Sequence, residues 1–150
     1  MASALQVAKG FISRGSMEGA YRAIASHSDP ALAAMLLEAL QYRPDAFDLA
    51  TVEPVTKLLE LLLTSGHPQH TAIALSVLGS VLRGPGQVMR DTLKAVGGIG
   101  CDLSYEQRRS KATVAKLSLQ GLQLRLGVLA RSGGSTGVQA QQLVTEIAQL

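Results

Sequence analysis

Residues 104–131, SYEQRRSKATVAKLSLQGLQLRLGVLAR, decide the fold. The stretch reads as one long helix. Ser104 is placed to cap its start, with Gln107 three residues on at the spacing of a capping box. Gly133-Gly134 ends it. Between these points apolar residues recur at helical spacing twice over. Ala115, Leu119, Leu122, Leu126 and Leu129 form one seam, and Val114, Leu117, Gly121, Leu124 and Val128 form another on nearly the opposite side. A surface helix needs one buried stripe. Full burial of a leucine is worth about 1.5–3 kcal/mol, so a helix with two stripes is expected to be covered on both sides. It is either sandwiched inside its own domain or shares one stripe with a partner.

Working outward, helical signals continue in both directions. Residues 3–13 carry Leu5, Ala8, Phe11 and Ile12 on one side, and Arg14-Gly15 breaks the pattern. Ser16 caps a second helix with Met17, Ala20, Tyr21 and Ile24 inward, ending near His27. Asp29-Pro30 starts a third, an N-cap followed by proline at the first helical position. It runs to about Tyr42 with Leu32, Met35, Leu36 and Leu40 inward. A fourth covers about Asp45 to Ser65, where Pro54 either kinks the helix or marks its true start after Thr51. Leu58, Leu59, Leu61, Leu62 and Leu63 make it apolar almost all round. A fifth, from about Pro68 to Leu82, is equally greasy, so the fourth and fifth are expected to be the central pair. Gly84-Pro85-Gly86 separates a short sixth helix, about Gln87 to Val96, that buries Val88, Met89 and Leu93. Gly97-Gly98-Ile99-Gly100 is a connector into the long helix. Ser135 or Thr136 starts a last helix with Leu143, Val144, Ile147 and Leu150. No alternating strand pattern occurs. The fold class is all-α, seven to eight helices in an antiparallel array of the HEAT or armadillo kind, with residues 1–150 forming a single interaction domain.

Composition sets the outer bounds. The chain has 150 residues, is 47% hydrophobic and 17% charged, and contains no tryptophan. Such a chain folds, with a core of Leu, Val, Ile, Ala and Met. Cys101 is the single cysteine, which excludes an internal disulfide and fits a reducing compartment. Neither a signal peptide nor a membrane span is visible, since Glu60 and Glu38 interrupt the longest apolar runs. Charge is uneven. Residues 1–66 hold 5 basic and 7 acidic side chains, whereas residues 67–150 hold 9 basic and 4 acidic. Arg83, Arg90, Lys94, Arg108, Arg109, Lys111, Lys116, Arg125 and Arg131 crowd the sixth and long helices, and an acidic polymer is a fitting contact for them. Nucleic acid is one such polymer, but stacking aromatics and a recognition motif are missing. The tubulin surface is another.

Catalytic and metal chemistry find little support. Gly133-Gly134-Ser135-Thr136-Gly137 matches the G-x-S-x-G elbow in letters only, because a helix precedes it where the elbow needs a strand. Gly97 to Gly100 has the glycine content of a phosphate loop without its spacing. His67 and His70 are two ligands, too few for zinc. Cys101 reads as a partly buried thiol, and His27 as a local hydrogen-bonding group beside Asp29. No enzyme, cofactor or metal site is expected.

Two stretches carry a resemblance. They are Arg83-Gly84-Pro85-Gly86-Gln87-Val88-Met89-Arg90-Asp91-Thr92-Leu93 and Ile99-Gly100-Cys101-Asp102-Leu103-Ser104-Tyr105-Glu106-Gln107-Arg108. Together they resemble the C-terminal domain of the katanin regulatory subunit. There a glycine-containing turn and Arg-Asp-Thr-Leu precede a small loop, and an aliphatic-Gly-x-Asp-aliphatic-x-x-Glu-x-Arg start to a long helix follows. The likeness extends more weakly over Ser13 to Leu40, Val52 to Ser65 and Gly134-Ser135. It implies a non-catalytic domain that pairs, as a heterodimer, with the N-terminal three-helix domain of the katanin AAA ATPase subunit. It further implies microtubule binding and recruitment of spindle-pole or minus-end adaptor proteins. The corresponding location is the cytoplasm and cytoskeleton: microtubules, centrosome or basal body, spindle pole, and the axoneme of a cilium or flagellum. The family's N-terminal WD-repeat propeller is absent, so the chain is expected to represent this domain alone.

The expected microtubule contacts are Arg90, Lys94, Arg108, Arg109, Lys111 and Lys116. The expected partner face is Val114, Leu117, Leu124 and Val128. No nucleic acid and no membrane are expected as partners. Two other classes compete. A generic helical-repeat adaptor would recover helical peptides and no AAA ATPase, and a basic helical domain of the nucleic-acid-binding kind would shift nucleic acid without binding tubulin.

Overall fold

In the computed structural model, which describes residues 2–43, 45–94 and 103–150, the chain is organised around a helix that is greasy on nearly every side. This is α4 (Leu49–Thr64), preceded by α1 (Ala2–Ser13), α2 (Met17–Ala25) and α3 (Pro30–Leu40). It is followed by α5 (Pro68–Arg83), α6 (Pro85–Lys94), α7 (Leu103–Gln120), α8 (Gln123–Arg131) and α9 (Gly134–Ala148). No strand occurs among the described residues. The hub α4 packs against α2, α3, α5, α6 and α7, while α5 adds α3, α6 and α9. Leu58, Leu59 and Leu62 of α4 and Leu75, Leu78 and Leu82 of α5 are all fully buried, as their all-round apolarity requires.

Local chemistry sets the helix ends. The Ser16 hydroxyl accepts from the Gly19 amide at 3.1 Å, and the Asp29 carboxylate accepts from the Ala31 amide at 2.9 Å. Asp48 and Thr51 form a reciprocal capping box at 3.0 and 2.8 Å. That cap fixes the start of α4 before Leu49, so Pro54 lies inside the helix and does not mark its first turn. Its missing N–H removes one bond, to the carbonyl of Ala50. Gly15 and Gly66 take positive φ, +80° and +78°, just after helices.

Several expectations need correction. The long helix is bent at Gly121-Leu122 into two segments, α7 and α8. At the bend the Leu122 N–H turns to the Leu119 carbonyl at 3.0 Å, one residue short of the α-helical partner, yet Ala115, Leu119, Leu122 and Leu126 all remain buried on one side. Ser104 lies inside α7 rather than capping it. Met35 and Val88 are exposed, because the adjacent positions Ala34, Leu36 and Met89 take the inward faces of α3 and α6. The stretch Pro68–Lys94 is long and apolar enough to cross a membrane. It breaks at Gly84 into α5 and α6, however, and its apolar faces pack on α3, α4, α7 and α9. Gly97 to Gly100 and Cys101 lie outside the described residues.

Candidate functional site

The α7–α8 rod has a wet side and a dry side. Ala112, Ala115, Leu119, Leu122 and Leu126 are buried against α4, α6 and α9, with Leu129 half-buried. On the outer side Val114, Leu117, Leu124 and Val128 are 43%, 62%, 77% and 59% exposed. Their spacing spans fourteen residues, about 21 Å of helix. Both seams come from the same alternation of apolar residues in the sequence. The inner one is covered by the chain's own helices, and the outer one is left largely exposed.

Beside the outer seam runs a trough. Its upper part, about 240 Å³, lies among α2, α4 and α7 between Glu18, Ala50, Glu53, Lys111 and Val114. Its lower part, about 430 Å³, continues between α4 and α7 past Lys57 and Glu60 to Leu117 and Gly121. The two parts share Glu53 and Val114. The far wall had no part in the expected site. Its signal in the sequence is Glu53, Lys57 and Glu60, a polar strip at helical spacing on an otherwise apolar helix. Most of its charge is neutralised internally. Arg22 pairs with Glu18 at 2.9 Å and with Glu53 at 3.8 Å, and Lys57 reaches Glu53 at 3.9 Å.

The basic residues are arranged differently. Among the described residues every ion pair involves a cation of the first half of the chain: Arg22, Arg43 or Lys57. Among the described residues no acidic side chain stands within ion-pair distance of the lysines and arginines from Arg83 onward. Arg109 sends its guanidinium across to the Leu93 carbonyl of α6 at 3.5 Å, while Lys111 borders the trough on the other flank of α7. The residues expected to act together therefore radiate from the rod. Arg109 and Lys116, seven residues apart, share the α6 side, near the helix that carries Arg90 and Lys94. Arg90 and Lys116 are partly covered; Lys94, Arg108, Arg109 and Lys111 are exposed.

The remaining candidates are simpler. The Gly133–Gly137 stretch is the α8–α9 turn, with Gly133 and Gly134 at φ +77° and +69° and Ser135 in the first turn of α9. His67 and His70 lie with ring centroids 5.0 Å apart and ring planes tilted by 47°, and the His70 Nδ1 lies 2.9 Å from the Ser65 hydroxyl. Among the described residues no group of three or more His, Cys, Asp or Glu side chains stands ready for a metal ion. His27 is exposed, and its ring makes no hydrogen bond to Asp29.

The chain matches a known domain family. The model of the con80 domain of katanin covers residues 2–147. The chain belongs to the katanin con80 family. Two Arabidopsis thaliana proteins are among its relatives. The katanin p80 WD40 repeat-containing subunit B1 homolog KTN80.3 is 27% identical over 129 residues, 86% of this chain and 15% of that protein. The homolog KTN80.2 is 27% identical over 139 residues, 93% of this chain and 12% of that protein. The con80 chain thus spans less than a sixth of the length of these curated relatives.

Proposed function

We propose that this con80 domain is a non-catalytic docking module of a katanin regulatory subunit. It holds the N-terminal three-helix domain of the AAA ATPase subunit on the outer seam of α7–α8 and turns its unpaired cations toward the acidic tubulin surface. The observation that carries this reading is the exposure of Val114, Leu117, Leu124 and Val128 along one line. An apolar line of this length in water is costly to leave uncovered and is typical of a protein interface. The cations supply the second contact. Exposed ion pairs contribute little each, about 0.2–1 kcal/mol, so microtubule binding is weak per domain, sensitive to salt, and strengthened when several copies are held in one severing assembly. Such a module works on the cytoskeleton, where spindle-pole and minus-end adaptors would also find it.

The test is a mass measurement. Mixed with the N-terminal domain of a katanin ATPase subunit, the chain forms a one-to-one complex by light scattering after gel filtration. Leu117→Asp with Leu124→Asp abolishes that complex while the helical signal and melting temperature stay unchanged. A complex that survives the double substitution overturns the assignment of the seam.

A further inference from the structure

The charges around the trough are not evenly matched, and the mismatch specifies an occupant. Along the α2 and α4 walls, Glu18, Arg22, Glu53 and Lys57 neutralise one another. Two charged groups remain without an ion pair among the described residues, and they stand at opposite ends. Lys111 borders the upper part beside Ala50, and Glu60 borders the lower part beside Gly121. Between them the α7 wall presents Val114 and Leu117. From Ala50 to Glu60 the trough follows ten residues of helix, about 15 Å. That is the length of three helical turns.

We propose that the trough accepts a single amphipathic helix of the partner, with an apolar stripe against Val114 and Leu117, a carboxylate opposite Lys111 and a cation opposite Glu60. The inference rests on the reading of the outer seam as a docking face and deepens it. Apolar anchors at helical spacing laid into a groove are a recurrent recognition mode, and the two terminal charges set the register of the bound helix more than its affinity. A helix with like charges at both ends leaves one of its ends facing a charge of the same sign.

The experiment uses the whole 150-residue chain and three synthetic helical peptides of about 15 residues. The peptides share one apolar stripe and differ only at the ends: Glu and Lys, Lys and Lys, or Glu and Glu. Fluorescence anisotropy at low salt is expected to rank the mixed peptide at least threefold tighter than either of the others. Lys111→Glu then moves the preference to the Lys and Lys peptide, and Glu60→Lys moves it to the Glu and Glu peptide. Equal affinities, an order that the two substitutions leave unchanged, or no binding by any peptide would overturn the proposal. Leu124 lies past the end of the trough, so Leu124→Asp separates the two claims. Loss of the ATPase domain in that variant with no peptide ranking in the parent chain sinks the trough alone. Retention of the ATPase domain with the ranking intact sinks the seam reading alone.

Discussion

Leu117 and Leu119 stand two residues apart on α7 and face opposite worlds: Leu119 is fully buried and Leu117 is 62% exposed. Two residues turn a helix by about 200°, so one side chain enters the core under α4 while the other points away from it. The same substitution should therefore have different consequences. Leu119→Ala opens a cavity and costs ~2–5 kcal/mol, enough to lower the melting temperature by several degrees. Leu117→Ala stays within ~0.5 kcal/mol of the parent but weakens the complex with the ATPase domain. Thermal unfolding followed by circular dichroism, run beside a pull-down, checks both. Equal losses of stability in the two variants would mean that the outer seam is ordinary core.

A second prediction concerns the cations. Reversing Arg108, Arg109 and Lys111 to Glu should lower co-sedimentation with microtubules several-fold without unfolding the chain, since all three side chains are exposed and make no ion pair among the described residues. Because Arg109 and Lys111 leave α7 on different flanks, single reversals should have unequal effects. The variant that matters more identifies the flank that meets the polymer. Raising the salt to several hundred millimolar should remove most of the binding by the parent chain, as screening over a few ångströms requires. Pelleting that survives the triple reversal at low salt would exclude the basic stripe as the contact.

The first two helices provide a third. A Cβ added to Gly19 would collide with the ring of Phe11, which is also capped by the Arg14 guanidinium 4.9 Å from its centroid. The α1–α2 hairpin thus packs the Phe11 ring into the space that a side chain at position 19 would take. Gly19→Ala should destabilise the chain by ~1–3 kcal/mol, the usual cost of overpacking. Much of that cost should vanish in a Phe11→Leu background, where the ring that collides is gone. A urea-unfolding double-mutant cycle measures the coupling. Additive effects would show that the ring moves aside freely.

The sequence disclosed periodicity well and endpoints less well. The doubly apolar rod, the central position of α4 and α5, and the caps at Ser16 and Asp29 were all legible, because each depends on residues close in sequence. Met35 and Val88 were not. Each lies at the edge of an apolar stripe, and only the path of neighbouring helices decides whether the edge is covered. The bend at Gly121-Leu122 was hidden because glycine inside a good apolar repeat leaves the period intact. Pro54 leaves the start of α4 open between about Asp45 and a point after Thr51, and the Asp48–Thr51 capping box settles it at Leu49. The trough escaped for a further reason. Its walls are Glu53, Lys57 and Glu60 on one helix and Val114 and Leu117 on another, more than fifty residues away, and no local pattern joins them.

The last prediction is alkaline. The Tyr21 hydroxyl is buried and donates to the Ala46 carbonyl at 2.8 Å, with the ring stacked on Phe47. Burial pushes its pKa well above the ordinary value of 10.0, and the carboxylates of Asp45 and Asp48 push it the same way against a smaller opposing pull from Arg43. In the unfolded chain the phenol ionises near pH ~10, while in the folded chain it keeps its proton. The folded state then binds more protons than the unfolded state, so stability falls as pH rises above that point, by up to ~1.4 kcal/mol per pH unit. Below it this group adds no pH dependence. Tyr21→Phe removes the slope. It also leaves the Ala46 carbonyl without its donor, costing ~1–3 kcal/mol at neutral pH. Urea unfolding should therefore show the parent more stable than the variant at pH 8, with the gap narrowing as the pH is raised past 10. A gap that stays constant over that range would mean that Tyr21 ionises as readily in the fold as out of it, and that its hydroxyl is not held where the Ala46 carbonyl needs it.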